Sequence, residues 1–280
     1  MSLRRRLIRL LDRPGGRTLL ALAATCFARA RNGLDVRIFY DDGWFHWAGG
    51  VCSFDSAAFN YFSDTPLHWK NRDSQEELGS VWWHVYRPRA GDVVVDIGAG
   101  TGTDTFVFSK AVGNEGRVLA VEAHPRTYRW LVNTCKYNRL ENVIPCHRAV
   151  TDGATEVYIT DNAHHLGNSI IPTLDQNCLQ TPVPGASLDQ ICREQGIDHI
   201  DFLKVNVEGA ERFVIRGMSE MIGRIRHLCI ACHDFLAVDG EDFRTKQLVI
   251  DFLQASGFEV VCRDADPRPC VQGHVHAVSP

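Results

Sequence analysis

From residue 91 to its end the chain alternates short apolar runs with amphipathic stretches, and no other feature limits its fold as strongly. "DVVVDIGAG", "RVLAVEAHP", "NVIPCHRAV", "DFLKVNV" and "HLCIACHDF" are strand-length apolar runs. Between and after them, "TDTFVFSKAVG", "RTYRWLVNTCKYNRL", "ASLDQICREQGI", "GAERFVIRGMSEMI" and "FRTKQLVIDFLQASG" carry helical spacing. Strands joined by helices of roughly 10 to 15 residues build a mostly parallel α/β sheet covered on both faces. "TEVYIT" and "NSIIPTL" read as a small excursion from this pattern. The last two runs, "FEVVCRD" and "HVHAVS", leave no room for a crossover helix, so that pair is expected to be antiparallel.

The pattern divides the chain into an N-terminal extension or lid, residues 1–77, and a sheet domain, residues 78–280. Residues 3–31 look helical in two pieces broken at "RPGG", and "SQEELGSVWWHVYRP" reads as a helix ending at Pro88. Residues 34–62 are aromatic-rich and glycine-punctuated, which suggests short strands or a compact loop layer. Trp44, Trp47, Phe54, Tyr61 and Trp69 supply either the core of a small lobe or a cover over an acceptor.

Nine arginines crowd the first forty residues, from Arg4 to Arg37, against Asp12 and Asp35 alone. That end suits peripheral contact with an anionic membrane surface. The run "TLLALAATCFA" is too short to cross a bilayer and makes a poor signal peptide. Overall the formal net charge is -4, so no nucleic-acid partner is expected. Ten scattered cysteines in a chain of 280 residues imply reduced thiols and a cytoplasmic setting. "CIAC", Cys229 to Cys232, has its thiols on opposite faces if it is a strand, so no metal site is expected.

In an open α/β sheet, ligands bind beyond the carboxyl ends of the strands where strand order reverses. The first strand of the domain ends in "VVVDIGAGTGTDTF". Its Gly98, Gly100 and Gly102 allow a tight turn and a close ligand. Thr103 stands where the dinucleotide fingerprint wants its last glycine. Asp96 on the strand would repel a pyrophosphate but suits a ligand bearing an amino group. Glu122, ending the next strand, can accept hydrogen bonds from ribose hydroxyls. Two acids so placed describe S-adenosylmethionine better than a nicotinamide dinucleotide.

These stretches, with "PGASLDQI" and above all "DFLKVNVEGAERFVIRGM", resemble the FkbM-like branch of class I S-adenosylmethionine-dependent methyltransferases. The resemblance spans roughly residues 78 to 260 and implies a Rossmann-like sheet, mostly parallel with an antiparallel terminal strand. It implies that Asp96, Gly98, Gly100 and Gly102 line the methionine end of the cofactor, with Glu122 on the ribose and Ala123 beside the adenosine. Val150 and Asp152 would approach the adenine. The family usually reads Asp-Val-Glu-Gly-Ala-Glu where this chain has Asn206 to Glu211, so its first acid is here an amide.

Methyl transfer from a sulfonium is an in-line displacement that needs an aligned nucleophile and a destination for its proton. His233, at the end of the fifth strand, is the first candidate for the base. Asn206 and Glu208 are expected to hold either an acceptor hydroxyl or the cofactor's amino group, and Asp234 is a second acid on the same rim. Lys204 within a central strand must reach a charge partner. The loop "DNAHHLGNSI", with His164 and His165 beside Asp161, Asn162 and Asn168, reads as an exposed polar segment, with a cover for the substrate or a hold on a divalent ion as the alternatives. The resemblance implies O-methylation of a small molecule such as a sugar, glycolipid or natural-product intermediate. RNA or protein methylation and non-catalytic cofactor binding stand as alternatives.

Overall fold

The computed structural model describes residues 3–32, 35–62, 80–162, 167–171, 179–239 and 243–280. The chain forms two compact units, residues 1–76 with 136–139, and residues 77–135 with 140–280. In the first, helices α1 (Leu3–Leu11) and α2 (Arg17–Asn32) precede an antiparallel meander of β1 (Val36–Tyr40), β2 (Trp44–Ala48) and β3 (Val51–Ser56). The aromatic-rich stretch thus forms short strands. Trp44 is fully buried among Leu20, Ala24 and Ala28 of α2, Val36, Ile38 and Tyr61. Its indole N–H donates to Asp12 at 3.3 Å, so the polar end of the ring is also satisfied. Trp69 lies outside the described residues.

The second unit holds a seven-stranded sheet. In chain order its elements are β4 (Val93–Ile97), α3 (Thr103–Val112), β5 (Arg117–Glu122), α4 (Pro125–Asn138) and β6 (Val143–His147). After a small side sheet come α5 (Leu188–Gln195), β10 (Ile200–Asn206), α6 (Glu211–Arg216), β11 (Ile225–Ala231), α7 (Lys246–Ala255), β12 (Glu259–Cys262), α8 (Pro269–Gln272) and β13 (His274–Val278). The spatial order is β12-β13-β11-β10-β4-β5-β6, parallel throughout except for β13, which runs antiparallel to both neighbours. The expected antiparallel terminal pair is therefore present. Strand order reverses between β4 and β10, which fixes where a ligand cleft can open.

Period-two alternation splits the sheet's side chains between two apolar layers. Val95, Ile97, Leu119, Val121, Leu203, Val205, Leu228 and Ile230 bury on one side. Val94, Val118, Ala120, Phe202, Cys229 and Ala231 bury on the other. Both faces are covered, so the strands read as near-continuous apolar runs. Cys229 and Cys232 fall in different layers, and burial pushes both thiols well above their ordinary range.

The side sheet consists of β7 (Ala149–Val150), β8 (Glu156–Thr160) and β9 (Gln180–Ala186), in the order β7-β9-β8. β9 reads "QTPVPGA", and its two prolines argue against a strand. The register explains the exception. Gly185 donates its N–H to Thr155 of the β8 side at 2.9 Å, so Pro182 and Pro184 face the other way. On that side β7 pairs only with Gly185 and Ala186, and no ladder donor is missing.

Two expected helices end earlier than their sequence pattern. Only Ser80 and Val81 are helical in the described part of "SQEELGSVWWHVYRP"; the chain then turns and buries Trp82 and Trp83. α6 stops at Arg216 because Asp189 draws the next residues out of the helix. Its carboxylate accepts from the Ser219 hydroxyl and from the backbone N–H groups of Glu220 and Met221 at 2.8–3.1 Å.

Candidate active site

A cleft lies at the carboxyl ends of β4, β5 and β10, and the empty space in and in front of it, solvent included, is about 710 Å³. Gly98, Gly100, Glu122, Ala123, Val150, Asn206 and Glu208 all line it, so seven residues chosen from sequence meet at one place. The loop after β4 is shaped by close packing. Gly98 has φ 73°, and a Cβ there would sit 1.9 Å from the Asn206 carbonyl oxygen. Only glycine lets β4 and β10 end side by side. At Gly100 a Cβ would meet nothing within 4 Å, so its backbone is open to the cleft.

Gly102 does a different job from the one expected. It faces α4, where a Cβ would press on Leu131 at 2.9 Å and on Thr134, and it is not on the cleft wall. Asp96 is likewise beneath the floor rather than in it. Its carboxylate pairs with Lys204 Nζ at 2.8 Å and accepts from the Thr105 hydroxyl at 2.6 Å. Lys204 is itself buried, donates to the Gly98 carbonyl at 2.9 Å and lies 5.1 Å from the centre of the Trp82 ring. Burial alone would lower the pKa of Lys204, but Asp96 and Asp104 outweigh it and the net shift is upward. Asp96 thus anchors the glycine loop through Lys204 and does not itself present oxygen to a ligand.

Glu122 keeps its expected place. One carboxylate oxygen accepts from His124 N–H at 2.8 Å and the other from Gly100 N–H at 2.9 Å. Burial raises its pKa to about 7 against the opposing pull of those two N–H groups. Two oxygens held in this way retain lone pairs for two hydroxyl donors. Asp152 does not join them. The two-residue strand β7 ends before it, and its exposed side chain borders a separate surface depression with Ser187 and Asp189.

The far wall is built from Asn168, Ser169 and Ile170, in the loop that sequence reasoning offered as a cover for the substrate, together with Arg148 and Ile159, which it did not single out. The Ser169 hydroxyl donates to the Glu208 carbonyl at 2.7 Å, which ties this wall to the end of β10. The available signal was the return to apolar residues in "GNSII". His164 and His165 lie outside the described residues.

His233 differs most from expectation. Its Nδ1 donates to Glu211 at 2.6 Å and its Nε2 faces Glu208 at 3.5 Å. Burial would lower the imidazole's pKa, but the two carboxylates outweigh it and push it up to about 10. The ring is therefore a buried imidazolium, with no lone pair to take a proton, and it does not line the cleft. With both ring nitrogens turned to carboxylates and away from the cleft, its geometry does not present it as the general base. Glu211 is fully buried and accepts also from Gly209 N–H at 3.0 Å and the Thr245 hydroxyl at 2.8 Å. Asp234 accepts from the N–H groups of Thr245 and Lys246 at 2.9 Å and so caps α7 instead of facing a substrate.

What faces the cleft here is Glu208 and Asn206. Glu208 has φ 50°, a left-handed conformation that costs a non-glycine residue about 1–3 kcal/mol and collects at functional positions. Asn206 ends β10, and its carboxamide has no hydrogen-bond partner among the described residues.

The family model described as the methyltransferase FkbM domain matches residues 96–260, more than half of the chain. The chain belongs to the FkbM methyltransferase family. Its members are S-adenosylmethionine-dependent methyltransferases, and the residues present fit that cofactor. Glu122 would take the ribose, the open backbone at Gly100 the methionine end, and Val121, Val150 and Ile159 the adenine. The tRNA (adenine(58)-N(1))-methyltransferase catalytic subunit TRM61 of Yarrowia lipolytica is 32% identical over 69 residues, 25% of this chain and 18% of that protein. The AMB antimetabolite synthetase AmbE of Pseudomonas aeruginosa is 34% identical over 77 residues, 27% of this chain and 4% of that protein. The FkbM methyltransferase chain therefore spans under a fifth of either relative's length. Among solved structures, methyltransferase FkbM from Methylobacillus flagellatus overlaps 69% of this chain and 45% of its own, with 14% identity and a TM-score of 0.47. Aeropyrum pernix fibrillarin, solved with natively bound S-adenosyl-L-methionine, overlaps 69% and 68%, with 19% identity and a TM-score of 0.41.

Proposed function

We propose that this methyltransferase acts on a hydroxyl group of a small molecule, such as a sugar, glycolipid or natural-product intermediate. The observation that carries the reading is the charge on the cleft wall. Glu122 and Glu208 are its acids and Arg148 its single cation among the described lining residues. With Glu122 given to the cofactor ribose, a phosphodiester chain would still meet the Glu208 carboxylate where it needs cations. A neutral polyhydroxylated acceptor meets a carboxylate and a carboxamide, which together accept from and donate to hydroxyl groups.

S-adenosylmethionine supplies a methyl group already activated on a positively charged sulfur, so alignment and proton removal are left to the protein. In this reading Glu208 accepts a hydrogen bond from the acceptor hydroxyl and takes its proton as the new O–C bond forms. His233 stays protonated behind Glu208 and holds its carboxylate in place, while Asn206 orients a second oxygen of the acceptor. We also place the enzyme in a reducing, cytoplasmic setting, which the nine described cysteines, all free, support.

Incubation with S-adenosylmethionine labelled in its methyl group tests the proposal. Small-molecule extract, total RNA and total protein are offered separately, and the product linkage is read by mass spectrometry. Label in an O-methyl ether of a small molecule is expected. Label confined to RNA or protein would reject the acceptor class while leaving the family intact.

A further inference from the structure

In the first unit, helix α2 is apolar on two sides. Leu20, Ala24 and Ala28, at spacings of four, turn into the core. Leu19, Leu22, Ala23 and Cys26 repeat on the opposite side at i, i+3, i+4 and i+7, and all are exposed. A surface helix normally carries polar residues there, and a helix apolar on both sides is a covered one. The described residues include nine exposed large hydrophobic side chains, and five of them fall in α1 and α2: Leu7, Leu10, Leu19, Leu22 and Phe27. Such a concentration marks an interaction face rather than the scatter usual on a surface.

Charge identifies the occupant. On α1 and the turn after it, the exposed Leu7 and Leu10 are interleaved with exposed Arg6, Arg9 and Arg13. The nearest acid, Asp12, is turned inward to Arg17, the Trp44 indole and Phe59 N–H. A second copy docking about a two-fold axis would bring like-charged arginines together. A nucleic acid has no use for a leucine stripe. Leucines flanked by arginines, with long apolar stems and charged heads, match the boundary between acyl chains and anionic headgroups. We propose that α1 and α2 form a docking face for an anionic lipid bilayer. No helix among the described residues is long and apolar enough to span one, so the contact is peripheral.

Sedimentation of the full chain with vesicles tests this, comparing phosphatidylcholine alone with phosphatidylcholine mixed with phosphatidylglycerol. Binding is expected only on the mixed vesicles, weakening as salt rises. Leu19→Ser with Leu22→Ser should cut partitioning about tenfold or more. The circular dichroism melt of that variant should not change, because both side chains are exposed. Arg6→Gln, Arg9→Gln and Arg13→Gln together should cut partitioning by about 100-fold, roughly fivefold per arginine. No partitioning onto the mixed vesicles, or a leucine pair that makes no difference, would overturn the proposal. So would concentration-dependent dimers in ultracentrifugation that the leucine pair abolishes, since a second copy would then own the face.

Discussion

Replacing His233 by glutamine tests the charge assignment at the end of β10. The substitution keeps hydrogen-bonding capacity but removes the positive charge between Glu208 and Glu211. An imidazole raised from 6.5 to about 10 prefers its charged form in the fold by up to about 5 kcal/mol. Loss of one partner from a buried ion pair costs a similar amount, about 3–5 kcal/mol. Screening takes little from this, because the His233 side chain is only 7% exposed and Glu211 is fully buried. The pH dependence follows from the two end states. The unfolded imidazole titrates near 6.5, so below that pH both states hold the proton and the stabilisation is complete. It falls as pH rises through the folded value, to about 3 kcal/mol near pH 8 and under about 1 kcal/mol near pH 10. Urea unfolding of wild type and His233→Gln across this range gives a difference in which groups titrating alike in both proteins cancel. Nitrogen-15 spectra of labelled histidine should also show one ring still protonated near pH 8. A gap below about 1 kcal/mol near pH 6, or one that does not shrink as pH rises, would refute the buried imidazolium.

Lys204→Met should cost about 3–5 kcal/mol in urea unfolding, because Asp96 is left buried without its cation. Adding Asp96→Asn should recover much of that loss; strictly additive costs would mean the pair is not coupled. S-adenosylhomocysteine affinity, measured by calorimetry, should fall by up to about tenfold per pH unit below 7 as Glu122 takes up a proton, and Glu122→Gln should be weak and nearly flat. A flat wild-type profile between pH 6 and 8 would remove Glu122 from the ribose site. Gly98→Ala places its methyl 1.9 Å from the Asn206 carbonyl. It should lower stability by about 1–3 kcal/mol and abolish cofactor binding, whereas normal binding would show that the β4–β10 contact can relax.

The strand ends were legible because glycine and acid spacing there is local: "DIGAG" and "VEAHP" each describe one turn. His233 was misread because its chemistry is not local. Its type suggested a base near neutrality, but two carboxylates, 22 and 25 positions earlier in the chain, converge on it only after β10 and β11 pair. Asp96 failed for the same reason, since its cation comes from a strand more than one hundred residues away. Asp152 failed on length, because a two-residue strand carries the chain away from the cleft before that carboxylate is reached. β9 was hidden by Pro182 and Pro184, whose tolerance depends on which side of the strand lacks a neighbour.

Asn206 acquires a physical reading from these pairings. Along β10 the side chains of Phe202, Lys204 and Asn206 share one face, with apolar packing at the first, an ion pair at the second and the cleft at the third. On the floor, Lys204 answers Asp96. At the rim, one imidazolium answers both Glu208 and Glu211. A carboxylate at position 206 would be a third acid drawing on that single cation, and like charges so close would pull Glu208 toward protonation. A protonated Glu208 could not take the acceptor's proton. In the proposed reaction, the amide leaves half-buried Glu208 as the one carboxylate at the rim free to act as the base, while Asn206 orients the acceptor without competing for charge.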